Sequence, residues 1–341
     1  MFLLSLTILF SSLHADVCKS LRKNTLLISG NANIKLAKKI AYYLGGDLAD
    51  ASIGKFNDGE VSIKICENVR GKEVYIIQPV CSNENQTIND SLMELFLLIR
   101  TLKRSSAGTI TVVMPYYGYA RQDRKIRSRV PISAADVAQM IEMAGADRVL
   151  SIDLHCGQIQ GFFQNIPMDN LYASPVFISY FGNKELHNPV VVSPDAGGVD
   201  RADQFSKQLA RKGWDVGMAL ISKQRAGAGK IKDMQLIGDV NGCDAIIVDD
   251  LCDTGGTLIR AAELLKASGA RRVFAVITHP VFSCNALVKL GESVIDEMVI
   301  TDTIPLQGQV PANITVLSVD SLLGDAICRI QGGDSVSALF Q

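Results

Sequence analysis

Short apolar runs alternate with segments of helical period along most of the chain. Runs over residues 25–29, 61–65, 74–78, 109–114 and 148–152 predict strands. Helical spacing predicts helices over 34–44 and 90–104, the second with Leu92, Leu95, Phe96 and Ile99 on one face. Ser133 is the expected cap of a helix reaching about Met143, and Gly145 is its expected stop. The second half repeats the pattern. Strands are predicted over 189–192, 216–221, 245–248, 273–277, 298–300 and 314–319, with helices over 198–212, 257–267 and 321–330. Apolar strands separated by helices imply parallel sheets covered on both faces. No Pro-, Gly- or Ser-rich linker divides the halves, and the change falls within residues 170–188.

Composition narrows the field. With 341 residues, a scale of roughly 150 per domain suggests about two domains. A hydrophobic share of 48% is enough for full cores and excludes general disorder. Lys and Arg number 34 against 35 Asp and Glu, a net charge of −1, so the chain has no overall basic field for nucleic acid. An aromatic share of 6% gives no stacking platform for single strands. The eight cysteines include no C-x-x-C pair and read as reduced core thiols of a cytoplasmic protein. Residues 1–13 are almost wholly apolar and resemble a signal peptide, but a basic leading segment is missing and the run is too short to span a bilayer. Residues 1–23 are therefore expected to be an extension outside the fold, consistent with a start placed too early rather than with export or a membrane.

The strongest chemical signal is AIIVDDLCDTGGT, residues 245–257. An apolar strand runs into Asp249 and Asp250, and a short loop, Asp253-Thr254-Gly255-Gly256-Thr257, then opens a helix. The glycines let backbone N–H groups point inward, and the helix N-terminus adds positive potential, as a phosphate cradle requires. Thr254 and Thr257 add hydroxyl donors. Asp249 and Asp250, at the strand's carboxyl end, are placed to accept hydrogen bonds from sugar hydroxyls. The plain alternative is a tight turn with an ordinary cap, and it weakens as strand, paired carboxylates and loop are taken together.

This stretch resembles the ribose-5-phosphate loop of the type I phosphoribosyltransferase fold. KFNDGE (55–60), NDSLMEL (89–95), PYYGYARQDR (115–124), DLHCGQIQGFF (153–163), VSPDAGG (192–198) and THPVFS (278–283) occur in order and resemble the ribose-phosphate pyrophosphokinase family over roughly residues 24–340. The resemblance implies an α/β chain of two stacked type I phosphoribosyltransferase-like domains, residues 24–172 and 173–341, each a mainly parallel sheet flanked by helices.

Each remaining motif has a bland reading beside the implied one. Asp58-Gly59-Glu60 is by itself a hairpin turn; the resemblance makes it part of an ATP site reaching a neighbouring subunit, with Phe56 beside adenine. Arg121 and Gln122 open a run of exposed-looking charge, and the resemblance gives them the nucleotide. A lone His155 is more often structural and Asp195 could simply cap a helix; the resemblance assigns both to Mg²⁺. Lys223-Gln224-Arg225 leads into a Gly-rich stretch that reads as a mobile surface loop, and the resemblance makes Lys223 and Arg225 the catalytic cations of a closing lid, with Arg225 also near ribose 5-phosphate.

The implied reaction moves the diphosphoryl group of ATP onto ribose 5-phosphate, with Mg²⁺ as cofactor, in a cytoplasmic homohexamer without nucleic-acid or membrane partners. Two alternatives stay open. A phosphoribosyltransferase would share the loop at 249–257 but has no need of Asp58–Glu60 and Arg121. A non-catalytic relative would keep the fold and lose chemistry residues, yet Lys223, Arg225, His155, Asp195 and Asp249 are all in place.

Overall fold

The computed structural model describes residues 24–227 and 230–340, and for 223–227 and 230–233 the backbone only; the expectations about residues 1–23 lie outside it. The chain forms two compact units. The first holds the described residues up to Leu171 together with those from Val319 onward, and the second is Tyr172–Ser318. Among the described residues, no helix is long and apolar enough to cross a membrane.

In the first unit, β1 (Thr25–Ser29), β4 (Glu73–Ile77), β5 (Thr109–Met114), β6 (Arg148–Ile152) and β7 (Met168–Leu171) form one sheet in the order β1-β4-β5-β6-β7. Every neighbouring pair is parallel. Helices α1 (Ile34–Tyr43), α2 (Ile88–Arg104) and α3 (Ser133–Ala144) connect these strands. β4 is buried from Val74 to Ile77 and β5 from Ile110 to Met114, which is why both read as unbroken apolar runs. β2 (Ala51–Lys55) and β3 (Val61–Ile65) form a separate antiparallel hairpin. α2 starts earlier than its apolar stripe because Thr87 and Asp90 form a capping box, worth about 1 kcal/mol. Ser133 does not cap α3: the N-cap is Ile132, and Ser133 Oγ instead donates to Gln122 Oε1 at 2.6 Å. Gly145 does stop that helix, in the left-handed region at φ 105°.

The second unit is a seven-stranded sheet in the order β10-β9-β8-β11-β12-β13-β14. The strands are β8 (Val190–Ser193), β9 (Gly217–Gly227), β10 (Lys230–Ile237), β11 (Asp244–Cys252), β12 (Arg272–Pro280), β13 (Glu297–Thr301) and β14 (Ile314–Leu317). All pairs are parallel except β9 with β10. Its helices are α4 (Ser174–Phe181), α5 (Val199–Arg211), α6 (Gly256–Ala267) and α7 (Ala286–Gly291). The base of β11 is clamped through Asp244, whose buried carboxylate accepts from Arg271 and Arg272 and from the backbone N–H of His187.

The helix α8 (Asp320–Gly332) returns to the first unit, so the second interrupts the first along the described residues. Leu322, Leu323, Ala326 and Ile327 are buried, and Tyr43 Oη of α1 donates to Asp325 at 2.8 Å. Burial and the Asp325 carboxylate push the Tyr43 hydroxyl up to about 12. The cysteines are not uniformly reduced core thiols. Cys81 and Cys252 are buried free thiols, whereas Cys66 and Cys284 are exposed ones.

Candidate active site

Open α/β sheets bind ligands beyond the carboxyl ends of their strands. In the second unit, β11 is buried from Asp244 to Val248 and then delivers Asp249 and Asp250 at such an end. The Asp250 side chain is sealed at 5% exposure, whereas Asp249 keeps 29%. Arg201, in the first turn of α5, reaches Asp250 Oδ1 at 3.2 Å and Asp249 Oδ1 at 3.6 Å. Asp249 Oδ1 also accepts from the backbone N–H of Asp250 at 3.0 Å. Burial and the Asp250 carboxylate push the Asp249 carboxyl well above the usual range, Arg201 opposes them, and Asp195 adds to the push. Asp250 thus works as an internal anchor, and Asp249 is the carboxylate open to a ligand hydroxyl.

Past Cys252 the chain turns through Asp253, Thr254 and Gly255 into α6. Gly255 has φ 75°, a conformation that strains any L side chain, and a Cβ there would come within 3.2 Å of Leu290 Cγ. Gly255 is the N-cap, and having no side chain it cannot itself take up the first N–H groups of α6. Those groups have no partner within the helix, so they are available to an anion together with the helix dipole. Thr254 is exposed at the mouth of the loop, and Gly256 and Thr257 are half-buried.

Asp195 follows β8 and caps the short helical turn Ala196–Gly198: its Oδ1 accepts from the N–H groups of Gly197 at 3.0 Å and Gly198 at 3.2 Å. The capping alternative is therefore real. A hard cation nevertheless suits this end of the sheet, where Asp195, Asp249 and Asp250 gather carboxylates; burial first, and then the Asp250 and Asp195 carboxylates, raise the Asp249 carboxyl. Among the described residues, no group of three or more His, Cys, Asp or Glu forms a ready metal cage. An ion such as Mg²⁺ takes one or two protein oxygens and completes its shell with water and phosphate.

In the first unit, the other candidates are exposed and lie on loops. Asp58, Gly59 and Glu60 belong to the connection of the β2–β3 hairpin, which is closed by Phe56 N–H to Glu60 O at 2.8 Å. Gly59 supplies φ 97°, and Asp58 Oδ1 accepts from Glu60 N–H at 3.1 Å. Lys55 ties the hairpin's base to Asp90 in the first turn of α2, at 3.1 Å. Arg121 and Gln122 follow β5, just past the left-handed Tyr119, whose hydroxyl meets Asn89 at the same end of α2. His155 follows β6, exposed, beyond the buried Asp153 at φ 40°. The loops after β5 and β6 are neighbours, since Asp123 bonds the Cys156 thiol and, after burial, helps to raise its ionisation.

Lys223 and Arg225 are not in a loop. Both lie on β9, which continues to Gly227 and pairs antiparallel with β10, Lys223 opposite Met234 and Arg225 opposite Ile231. The ladder shifts register at Lys230/Ile231 and again at Ile231/Asp233. Arg201 is a site residue that the sequence reading omits. Its one signal is its position, a few residues after VSPDAGG and inside the helix that this loop opens.

The sequence model described as the N-terminal domain of ribose phosphate pyrophosphokinase matches residues 25–145, and that described as the phosphoribosyl synthetase-associated domain matches residues 223–341. The chain is 51% identical over 317 residues to a ribose-phosphate pyrophosphokinase of Shewanella oneidensis, a match covering 92% of this chain and 98% of that protein. It is also 51% identical over 318 residues to the enzyme of the same name from Buchnera aphidicola, with the same coverage of 92% and 98%. Among solved structures, the phosphoribosylpyrophosphate synthetase of Mycobacterium smegmatis superposes with a TM-score of 0.83 at 36% identity, covering 91% of this chain and 100% of that one.

Proposed function

The chain belongs to the ribose-phosphate pyrophosphokinase family, and from that premise we propose how its own residues carry the reaction ATP + ribose 5-phosphate → AMP + 5-phospho-α-D-ribose 1-diphosphate. The observation that carries the reading is the end of β11: an open Asp249 beside the anchored Asp250, followed by a Gly-capped helix N-terminus. Asp253, Thr254, Gly255, Gly256 and Thr257 take the 5-phosphate, and Asp249 takes ribose hydroxyls. Asp58, Gly59, Glu60, Arg121 and Gln122 hold ATP. Arg is suited to that role because its planar fork clamps phosphate or stacks on a base.

The C1 hydroxyl attacks the β-phosphorus in line and AMP leaves, so the work is positioning and charge stabilisation. Lys223 and Arg225, two apart on one strand, meet the transferring group. Asp195 and His155 are the residues we assign to Mg²⁺, which when bound spreads the charge of the polyphosphate. We further propose a cytoplasmic homohexamer in which the Asp58–Glu60 hairpin of one subunit completes the ATP site of its neighbour. The test of the reaction is release of AMP from ATP: it is expected only when ribose 5-phosphate is present, and AMP release without that dependence would overturn the reading.

A further inference from the structure

The THPVFS motif has no part in the chemistry above, yet its residues converge on the phosphate loop. β12 ends in Thr278, His279 and Pro280, all buried. Thr301 Oγ1 and Thr303 Oγ1 both donate to Thr278 O, at 2.6 Å and 3.0 Å. His279, only 2% exposed, is seated with Nδ1 3.0 Å from Thr303 Oγ1. From this fixed base the chain runs back toward β11. Phe282 N–H donates to Cys252 O at 3.1 Å, and Ser283 Oγ donates to Asp253 Oδ1. On α7, Leu290 stands where a side chain at Gly255 would meet it. Two consecutive residues of the phosphate turn's frame, Cys252 and Asp253, are thus bonded by this segment.

The same stretch holds backbone that relaxed chains avoid. Phe282, Cys284 and Asn285 have φ 46°, 54° and 59°. A bulky residue such as Phe is a real outlier there, and such outliers persist only where the surroundings over-determine them, most often at functional sites. A plain β12–α7 connection needs none of this.

We propose that residues 279–285 are a strap that sets the ribose-phosphate loop, with Ser283 a positioning residue that fixes the Asp253 carboxylate. The strap deepens the reading of Asp253–Thr257 as the 5-phosphate loop and rests on it. Without the Ser283 hydroxyl, Asp253 loses one of the bonds that orient it, and the loop's N–H groups are held less firmly in their preset direction. The penalty falls on ribose 5-phosphate and leaves ATP binding alone.

The experiment uses the full chain. Ser283→Ala is expected to raise KM for ribose 5-phosphate roughly tenfold, the scale of one hydrogen bond to a charged group, with KM for ATP and the unfolding midpoint unchanged. Ser283→Thr restores the wild-type value, and in an Asp253→Asn background the effect of Ser283→Ala shrinks, because both changes break one contact. Ser283→Thr and Ser283→Val, alike in shape, make the same comparison if the alanine variant folds poorly. An unchanged KM for ribose 5-phosphate, equal rises for both substrates, or independent effects in the double variant would overturn the strap. Calorimetric binding of ribose 5-phosphate to wild type and Ser283→Ala separates the two readings. Binding that weakens in the variant supports the strap even if no AMP is released, and the failure is then that of the proposed reaction alone.

Discussion

At the scale of single residues, the groups proposed to face ligands depend on others that hold them, as Arg201 holds Asp250. Asp249, Asp253 and the glycines are legible because phosphate and sugar restrict residue type. Arg201 is not, since an Arg in the first turn of a helix is ordinary until the fold brings Asp250 beneath it. Ser133 misleads in the opposite direction: it begins a helix, as a cap would, but its hydroxyl is spent on Gln122. Lys223 and Arg225 carry the sharpest prediction at this scale. If they meet the β-phosphoryl group chiefly as it transfers, Lys223→Ala lowers kcat by roughly 10²–10³ while KM for both substrates moves little. Steady-state kinetics with each substrate varied in turn makes the check. A kcat near wild type would return Lys223 to the status of a surface charge.

Strands buried on both faces were readable at the scale of elements, because apolar and β-branched residues dominate them: 109–114 and 148–152 match the structure residue for residue. Strands that lack this continuity were not. β2 (ASIGK) and β7 (MDNL) have too few apolar residues to stand out. The far end of β9 and the facing β10 contain Gly and charge, which β propensity disfavours, so pairing between them outweighs local preference. β11 also depends on its ends. Burial opposes ionisation of Asp244, yet hydrogen bonds from Arg272, Arg271 and the His187 N–H outweigh it and lower its carboxyl to about 2. A carboxyl depressed in the folded state stabilises above its ordinary value of about 3.9 and loses that contribution as pH falls toward the folded value. The contribution is on the order of 1–2 kcal/mol, discounted because both guanidinium groups are partly in water. Urea unfolding between about pH 5 and pH 2.5 should therefore show wild type losing more stability than Asp244→Asn, and parallel losses would refute it.

For the whole molecule, the units part between Leu171 and Tyr172, within the stretch 170–188 to which the repeat of elements points, but the return of the chain was not legible: periodicity gives a helix a buried face without saying which unit covers it. The α8–α1 contact supplies a direct check. A Cβ at Gly324 would lie 2.3 Å from Tyr43 Cδ1, so Gly324→Ala overpacks the first unit and is expected to cost about 1–3 kcal/mol in chemical unfolding; an unchanged midpoint would mean the helices yield without strain.

Assembly is the largest scale at which the proposed site can be tested, because its parts are separable. The Asp58–Glu60 connection is fully exposed, and Lys55 ties the base of its hairpin to Asp90. A tip serving a neighbour makes each ATP site a product of two chains, one giving the hairpin and the other giving Lys223. Mixing a hairpin variant, Asp58→Ala with Glu60→Ala, and Lys223→Ala before assembly then creates some sites with both parts intact. With equal amounts and random association, each site draws an intact Lys223 half the time and an intact hairpin half the time, so about a quarter of wild-type activity returns. Activity is measured as AMP release in the mixture, against each variant assembled alone. A mixture that stays at the mean of the two variants, with mixed oligomers demonstrated by native mass spectrometry, would show that each chain builds its ATP site unaided.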